Sequence, residues 1–331
     1  MRTGVRISFS IVFVLLISIA AVPESAHAQA LAGKDSVTIL ITDSGLGGLA
    51  VCADIERRLN TEHPFRFARL IFCNALPEAD YGYNTMANRE EKIRVFSAAL
   101  TGMTKWYSPD IILIACNTLS VLYRETPYAK NAKIPVISIV ETGVEMMAER
   151  MKADPSASMI IFGTETTIGE NVHKQMLMKR GFPEKRITTQ VCPDLAGEIQ
   201  SDAASDAVQT MTAFYADEAV QKLSPGNGTV IAGLCCTHYG YAEGFFRDAL
   251  MKTSGRTVTI VDPTTRMSDV VFSPAAKNSF FGTDVNVAVV SRAKITDAEI
   301  QSIGRLLEDQ SPRTALALRK YEMKRNLFEF R

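Results

Sequence analysis

Ile111-Ile112-Leu113-Ile114-Ala115-Cys116-Asn117-Thr118 is an unbroken apolar run that ends in a thiol and two small polar residues. A second stretch repeats the layout. Thr229-Val230-Ile231-Ala232 leads through Gly233-Leu234 into Cys235-Cys236-Thr237-His238. Continuous apolar runs of this length are the pattern of strands covered on both faces, as in a parallel sheet. Working outward, similar runs fall at 37–42, 67–72, 110–115, 135–140, 158–162, 187–191, 228–232 and 258–261, with helical stretches between them. The helices include one from the Gly45-Leu46-Gly47-Gly48 turn through Leu59 and one from about Asn88 to Trp106. Strands alternating with helices predict an α/β protein. The two cysteine-ended strands predict two pseudo-equivalent lobes of mainly parallel sheet flanked by helices, with the working site in the cleft between them.

The whole chain sets the limits. Its 331 residues include 47% hydrophobic and 22% charged side chains, the proportions of an ordinary globular protein with a sizeable core. Formal net charge is zero, so nothing points to nucleic acid or an anionic membrane surface. The first residues read as a targeting segment. Arg2 and Arg6 precede an apolar run at 11–22, Pro23 breaks it, and Ala26-His27-Ala28 offers a small-x-small cleavage site. Residues 1–28 are therefore expected to be a signal peptide, with the mature chain periplasmic or secreted and not inserted in the membrane. The six cysteines show no disulfide-framework spacing, so buried free thiols are the default for Cys52 and Cys73. A metal site is not expected, because no Cys-x-x-Cys pair exists and there are only four histidines.

Strand ends carry the chemistry. Asp43-Ser44-Gly45, Cys116-Asn117-Thr118, Gly163-Thr164 and Cys236-Thr237-His238 each lie just past the carboxyl end of an expected strand, where open α/β sheets bind ligands. Two thiols facing each other across a cleft can remove a proton from one face of a carbon while the opposite face gains one. That inverts stereochemistry without a cofactor. The thiolate is the base, and it needs a suitable pKa and electrostatic help. Asp43 and His238 are the candidate helpers, and His238 lies two residues from Cys236. Of the adjacent pair, Cys236 is expected to face the cleft and Cys235 to pack inward. The Asp43–Gly48 turn does not fit a dinucleotide fingerprint, and its glycines are expected to admit a small ligand close to the backbone. Thr164-Glu165-Thr166-Thr167 also suits a helix N-cap.

Together these residues resemble glutamate racemase, within the aspartate/glutamate racemase superfamily. Five motifs occur in that family's order: Asp43-Ser44-Gly45-Leu46-Gly47-Gly48, Tyr81-Gly82, Ala115-Cys116-Asn117-Thr118, Gly163-Thr164-x-x-Thr167-Ile168 and Cys236-Thr237-His238-Tyr239. The resemblance runs from about Val37 to Asp262. It implies a pyridoxal-independent isomerase with no cofactor, interconverting L- and D-glutamate with one cysteine from each lobe. Cys116 and Cys236 would be the acid/base pair, assisted by Asp43 and His238. Asp43, Ser44, Tyr81, Gly82, Asn117, Thr118, Thr164, Thr237 and His238 would hold the amino acid. It also implies a discontinuous first lobe, 33–138 with 262–331, around a second lobe at 139–261. A homodimer is one assembly open to such a chain.

The chain departs from the family pattern in places. Asp80 stands where a proline precedes Tyr81-Gly82, and Tyr83-Asn84-Thr85-Met86 lengthens that loop. Gly240 replaces a proline after Tyr239. The acidic helper that follows the Cys192-Pro193 turn falls on Gln200 by spacing, with Glu198 displaced by two. An N-terminal targeting segment is unusual for enzymes that feed cytoplasmic cell-wall synthesis. Two other readings stay open. One is aspartate racemase or another carbon-acid enzyme of the superfamily. The other is an exported solute-binding protein, which has no need of paired thiols.

Overall fold

The computed structural model describes Leu31 and residues 33–330, so the expected signal peptide lies outside the described residues. The ten strands among them are β1 Ser36–Asp43, β2 Phe67–Asn74, β3 Ile111–Ile114, β4 Val136–Ser138, β5 Ser158–Gly163, β6 Ile187–Val191, β7 Val230–Cys235, β8 Val258–Val261, β9 Asp284–Ser291 and β10 Glu322–Met323. They form a six-stranded sheet in the order β10-β9-β2-β1-β3-β4 and a four-stranded sheet in the order β6-β5-β7-β8. Every named pairing is parallel.

Alternation along each central strand divides the core. In β1, Val37, Ile39 and Ile41 face the layer holding the helix Leu49–Glu62 and the C-terminal residues Ile303, Leu307 and Leu318. Leu40 points the other way, into Val95, Phe96 and Leu100 of the helix Arg89–Tyr107. The second sheet repeats the plan. Ile160 and Phe162 of β5 join Leu195, Val208 and Phe246 on one face, while Met159 and Ile161 join Val144 and Met147 of the helix Ile139–Ala153 on the other. Runs buried on both faces are what two helical layers require.

Three expectations shift. The strand expected at 135–140 stops at Ser138, whose hydroxyl accepts from the Val140 N–H and starts a helix at once. The strand expected at 228–232 runs on to Cys235, because Gly163 of β5 pairs with it. β9 was not expected as a strand. It pairs along its whole length with β2, and Lys324 N–H donates to the Ser291 carbonyl beyond its end. Among the described residues no helix is long and apolar enough to cross a membrane.

Both sheets reverse their winding at the same point. From β1 the chain adds β2 on one side and then β3 on the other; from β5 it adds β6 and then β7. The crevice at such a reversal, beyond the carboxyl ends of the strands, is where open α/β sheets take ligands. Cys116 follows β3 and Cys236 follows β7, so each thiol sits at its own sheet's reversal point.

Candidate active site

The two crevices meet in one cavity of about 190 Å3. Asp43, Ser44, Cys116, Asn117 and Thr118 line it from the first sheet, and Thr164, Cys236, Thr237 and His238 line it from the second. Gly82, Tyr83, Asn84 and Thr85 form part of its wall, as do Ala196, Gly197 and Gln200. Of the expected site residues, only Tyr81 is missing from the lining. Its hydroxyl donates to Glu91 and its ring stacks on Phe330, with 6.0 Å between centroids. Tyr83, two residues on, lines the cavity instead. Asp80 is exposed and does not line the cavity, so its carboxylate adds no charge to the wall.

Cys116 is 5% exposed and Cys236 7%. All six cysteines are free thiols. Cys235 ends β7 with its side chain fully buried in the core, and Cys236 faces the cavity, because successive residues of an extended chain point to opposite sides. Cys116 Sγ lies 3.2 Å from Ser44 Oγ, and Cys236 Sγ lies 3.7 Å from His238 Nδ1. Burial pushes the Cys116 thiol up to about 12, and the Asp43 charge adds to this. Hydrogen bonds from Ser44 and the Leu119 backbone act in the opposite direction without prevailing. Burial likewise carries Cys236 well above the usual thiol range. Without substrate both groups are therefore protonated. Desolvation is the dominant cause at both thiols.

Asp43 is 1% exposed, and its carboxylate accepts from Gly45 N–H at 3.2 Å and from the Thr237 hydroxyl at 2.8 Å. The second of these bonds joins the two sheets. Gly47 makes that junction possible: a Cβ there would lie 2.3 Å from Thr237 Oγ1 and 2.8 Å from the His238 backbone nitrogen. This glycine serves the meeting of two turns, where the sequence suggested the approach of a ligand. On the opposite wall the Thr118 and Thr164 hydroxyls lie 2.8 Å apart, again joining the sheets. Thr164 both lines the cavity and caps the short helix Glu165–Gly169.

Asn117 Oδ1 lies 3.0 Å from His173 Nε2. Burial lowers His173 to about 4, so the ring is neutral and its Nε2–H donates to Asn117. Asn117 Nδ2 is buried without a partner, a donor held ready on the wall of the cavity. No sequence motif marks His173, which arrives from the helix Val172–Lys179. Gln200 and not Glu198 reaches the site. Gln200 Oε1 lies 2.9 Å from His238 Nε2, whereas Glu198 is exposed. The departure at Gly240 also has a physical reason, since a Cβ there would lie 2.2 Å from Asp262 Oδ2.

No lysine or arginine lines the cavity, whose donors are hydroxyls, amides, an imidazole and backbone N–H groups. Among the described residues no three His, Cys, Asp or Glu side chains come together as a metal-ligand cluster. The arrangement sets two buried thiols, one from each sheet, on one cavity lined by neutral hydrogen-bond donors.

Known proteins share this architecture. The chain is 27% identical over 228 residues to a glutamate racemase of Chlorobaculum parvum, a span of 67% of this chain and 74% of that one. It is 25% identical over 228 residues to one of Streptococcus thermophilus, covering 69% and 75%. The crystal structure of glutamate racemase from Francisella tularensis in complex with D-glutamate superposes with a TM-score of 0.61 at 20% identity, over 88% of this chain and 96% of that one. The enzyme from Aquifex pyrophilus gives 0.56 at 21%, over 83% and 95%. At such identities the structural likeness is one of fold. The family model described as Asp/Glu/Hydantoin racemase matches residues 39–265, from β1 through both cysteine turns, and the protein belongs to that family.

Proposed function

We propose that the protein is a cofactor-independent amino-acid racemase that interconverts L- and D-glutamate with Cys116 and Cys236 as its two bases. The observation that carries this reading is the placing of two buried thiols, one from each sheet, on one 190 Å3 cavity. Family membership and the glutamate racemases among its relatives support it.

The chemistry follows from the geometry. A zwitterionic amino acid brings an α-ammonium into a cavity that already holds the Asp43 carboxylate. That cation offsets the cost of a buried thiolate, so each thiol ionises only when substrate is bound. One thiolate takes the α-proton while the opposite thiol supplies one to the other face. Cys116 is assisted by Ser44, and Cys236 passes its proton to His238 Nδ1. The unpartnered Asn117 amide and the Thr118, Thr164 and Thr237 hydroxyls supply donors for carboxylates. Such a wall leaves nothing for an apolar side chain to bury, which favours a dicarboxylic substrate over a neutral one.

We further infer export, on the pattern at residues 1–28 alone. N-terminal sequencing of the cell-recovered protein should begin near Gln29; a chain that retains Met1 in the cytoplasm, serving peptidoglycan precursor synthesis, would refute it. For the reaction, each enantiomer of glutamate, aspartate, alanine and lysine is incubated in deuterated water, with α-deuterium and optical rotation followed. Glutamate should racemise fastest. Faster turnover of alanine or lysine would overturn the substrate assignment.

A further inference from the structure

Behind His238 stands a hydrogen-bond relay that reaches outside the family-matched region. The Gln200 side-chain oxygen accepts the Leu46 N–H at 2.8 Å, and its amide nitrogen donates to Glu299 Oε1 at 2.5 Å. Each contact requires the same orientation of the amide, since a backbone N–H needs an acceptor and a carboxylate needs a donor. His238 Nε2 faces that same Gln200 oxygen at 2.9 Å and must therefore carry the proton. Nδ1 is left with its lone pair, 3.7 Å from Cys236 Sγ. We propose that Glu299, acting through the Gln200 amide, is a positioning residue that holds His238 in the tautomer able to take the proton of Cys236.

The inference rests on the racemase reading for its functional meaning, but its geometry stands on these contacts. When the Cys236 S–H bond breaks, the proton moves to His238 Nδ1 and the electron pair stays on sulfur. The imidazolium then keeps its Nε2–H on Gln200. The titratable groups around the ring are Asp43 at the end of β1, Cys236 in the same turn, Cys116 across the cavity and Glu299 behind Gln200. Glu198 and Asp202, on the helix Leu195–Asp202 that carries Gln200, are exposed. Burial lowers His238, and the Asp43 and Glu299 charges oppose that fall.

Only a carboxylate fits at 299. Its second oxygen accepts the Thr296 N–H at 2.7 Å and the Thr296 hydroxyl at 2.8 Å, the capping box of the helix Asp297–Glu308. An amide at 299 cannot accept at both ends, so Glu299→Gln frees either Gln200 or the cap. The double variant Gln200→Glu/Glu299→Gln restores every bond. The carboxylate introduced at position 200 would accept from Leu46 N–H, from His238 Nε2–H and from the amide introduced at position 299, while the oxygen of that amide keeps the cap.

The test is 15N NMR of histidine-labelled full-length protein across pH, with His238 assigned through His238→Asn. The parent should show the Nε2–H tautomer. Glu299→Gln should lower the His238 midpoint and mix the tautomers, and the double variant should raise the midpoint above the parent's. In parallel, kcat/KM for glutamate should fall about tenfold in Glu299→Gln, the equivalent of about 1.4 kcal/mol. It should recover in the double variant. An Nδ1–H tautomer in the parent, or an unmoved midpoint in Glu299→Gln, overturns the inference. A parent that racemises no amino acid overturns the functional reading and leaves the NMR result to decide the positioning role.

Discussion

Cys116 should ionise only far above the range of an ordinary thiol in the absence of substrate. Burial and the Asp43 charge raise it from 9.0 to about 12. Three pH units correspond to roughly 4 kcal/mol, so at pH 9, where a free thiol is half ionised, about one Cys116 in 1,000 is a thiolate. A substrate ammonium within about 4 Å, at the effective dielectric of a protein interior, returns about 4 kcal/mol. The two magnitudes match, so on the proposed mechanism a bound ammonium returns the thiol to its ordinary range. The assay is alkylation of the substrate-free protein by iodoacetamide from pH 7 upward, with the Cys116 peptide quantified by mass spectrometry. The dependence of the rate on pH separates ionisation from access. Log rate should climb without a plateau through pH 10. A plateau near pH 8 would refute the argument, because it would show the thiolate stabilised before substrate arrives.

Two further outcomes follow from close contacts and burial. Gly47→Ala should part the Asp43 and Thr237 turns and lower kcat/KM by about 5- to 150-fold, the equivalent of the about 1–3 kcal/mol that overpacking of this kind costs; unchanged kinetics would show that the junction is not needed. Asp262 is raised by burial to about 6, so the stability it confers is complete below its unfolded value near 3.8 and is lost as pH rises through 6. Asp262→Asn, which can still accept from Thr264 N–H, should therefore raise the urea midpoint at pH 7 by the equivalent of about 3 kcal/mol and change little at pH 4. A lower midpoint at pH 7 would contradict this.

What was legible in the sequence was whatever is written locally. The runs at 111–114 and 158–162 are strands because apolar residues face both layers, and the thiols at their sheets' reversal points follow from strand order. β9 carried a local signal too, in Val285, Val287, Val289 and Val290, but its pairing with β2 spans the whole second sheet. Contacts of that range leave no mark on neighbouring residues. Tyr81 shows the same limit. Its motif suggested a ligand contact, yet the returning C-terminal segment brings Phe330 against its ring. His173 and Glu299 were invisible for the reverse reason. Nothing beside His173 marks it, the Thr296-x-x-Glu299 spacing marks only a helix cap, and only the folded structure sets the two side chains behind Asn117 and Gln200.

The claim that two thiols on opposite walls act as a pair is tested most directly by Cys116→Ala and Cys236→Ala in deuterated water. The parent should place solvent deuterium on the product enantiomer while recovered substrate stays largely protiated at early times, the mark of separate bases on the two faces. Each alanine variant should keep its fold by circular dichroism and lose racemisation by at least a thousandfold, since no other thiol lines the cavity. Racemisation within tenfold of the parent in either variant would contradict the account.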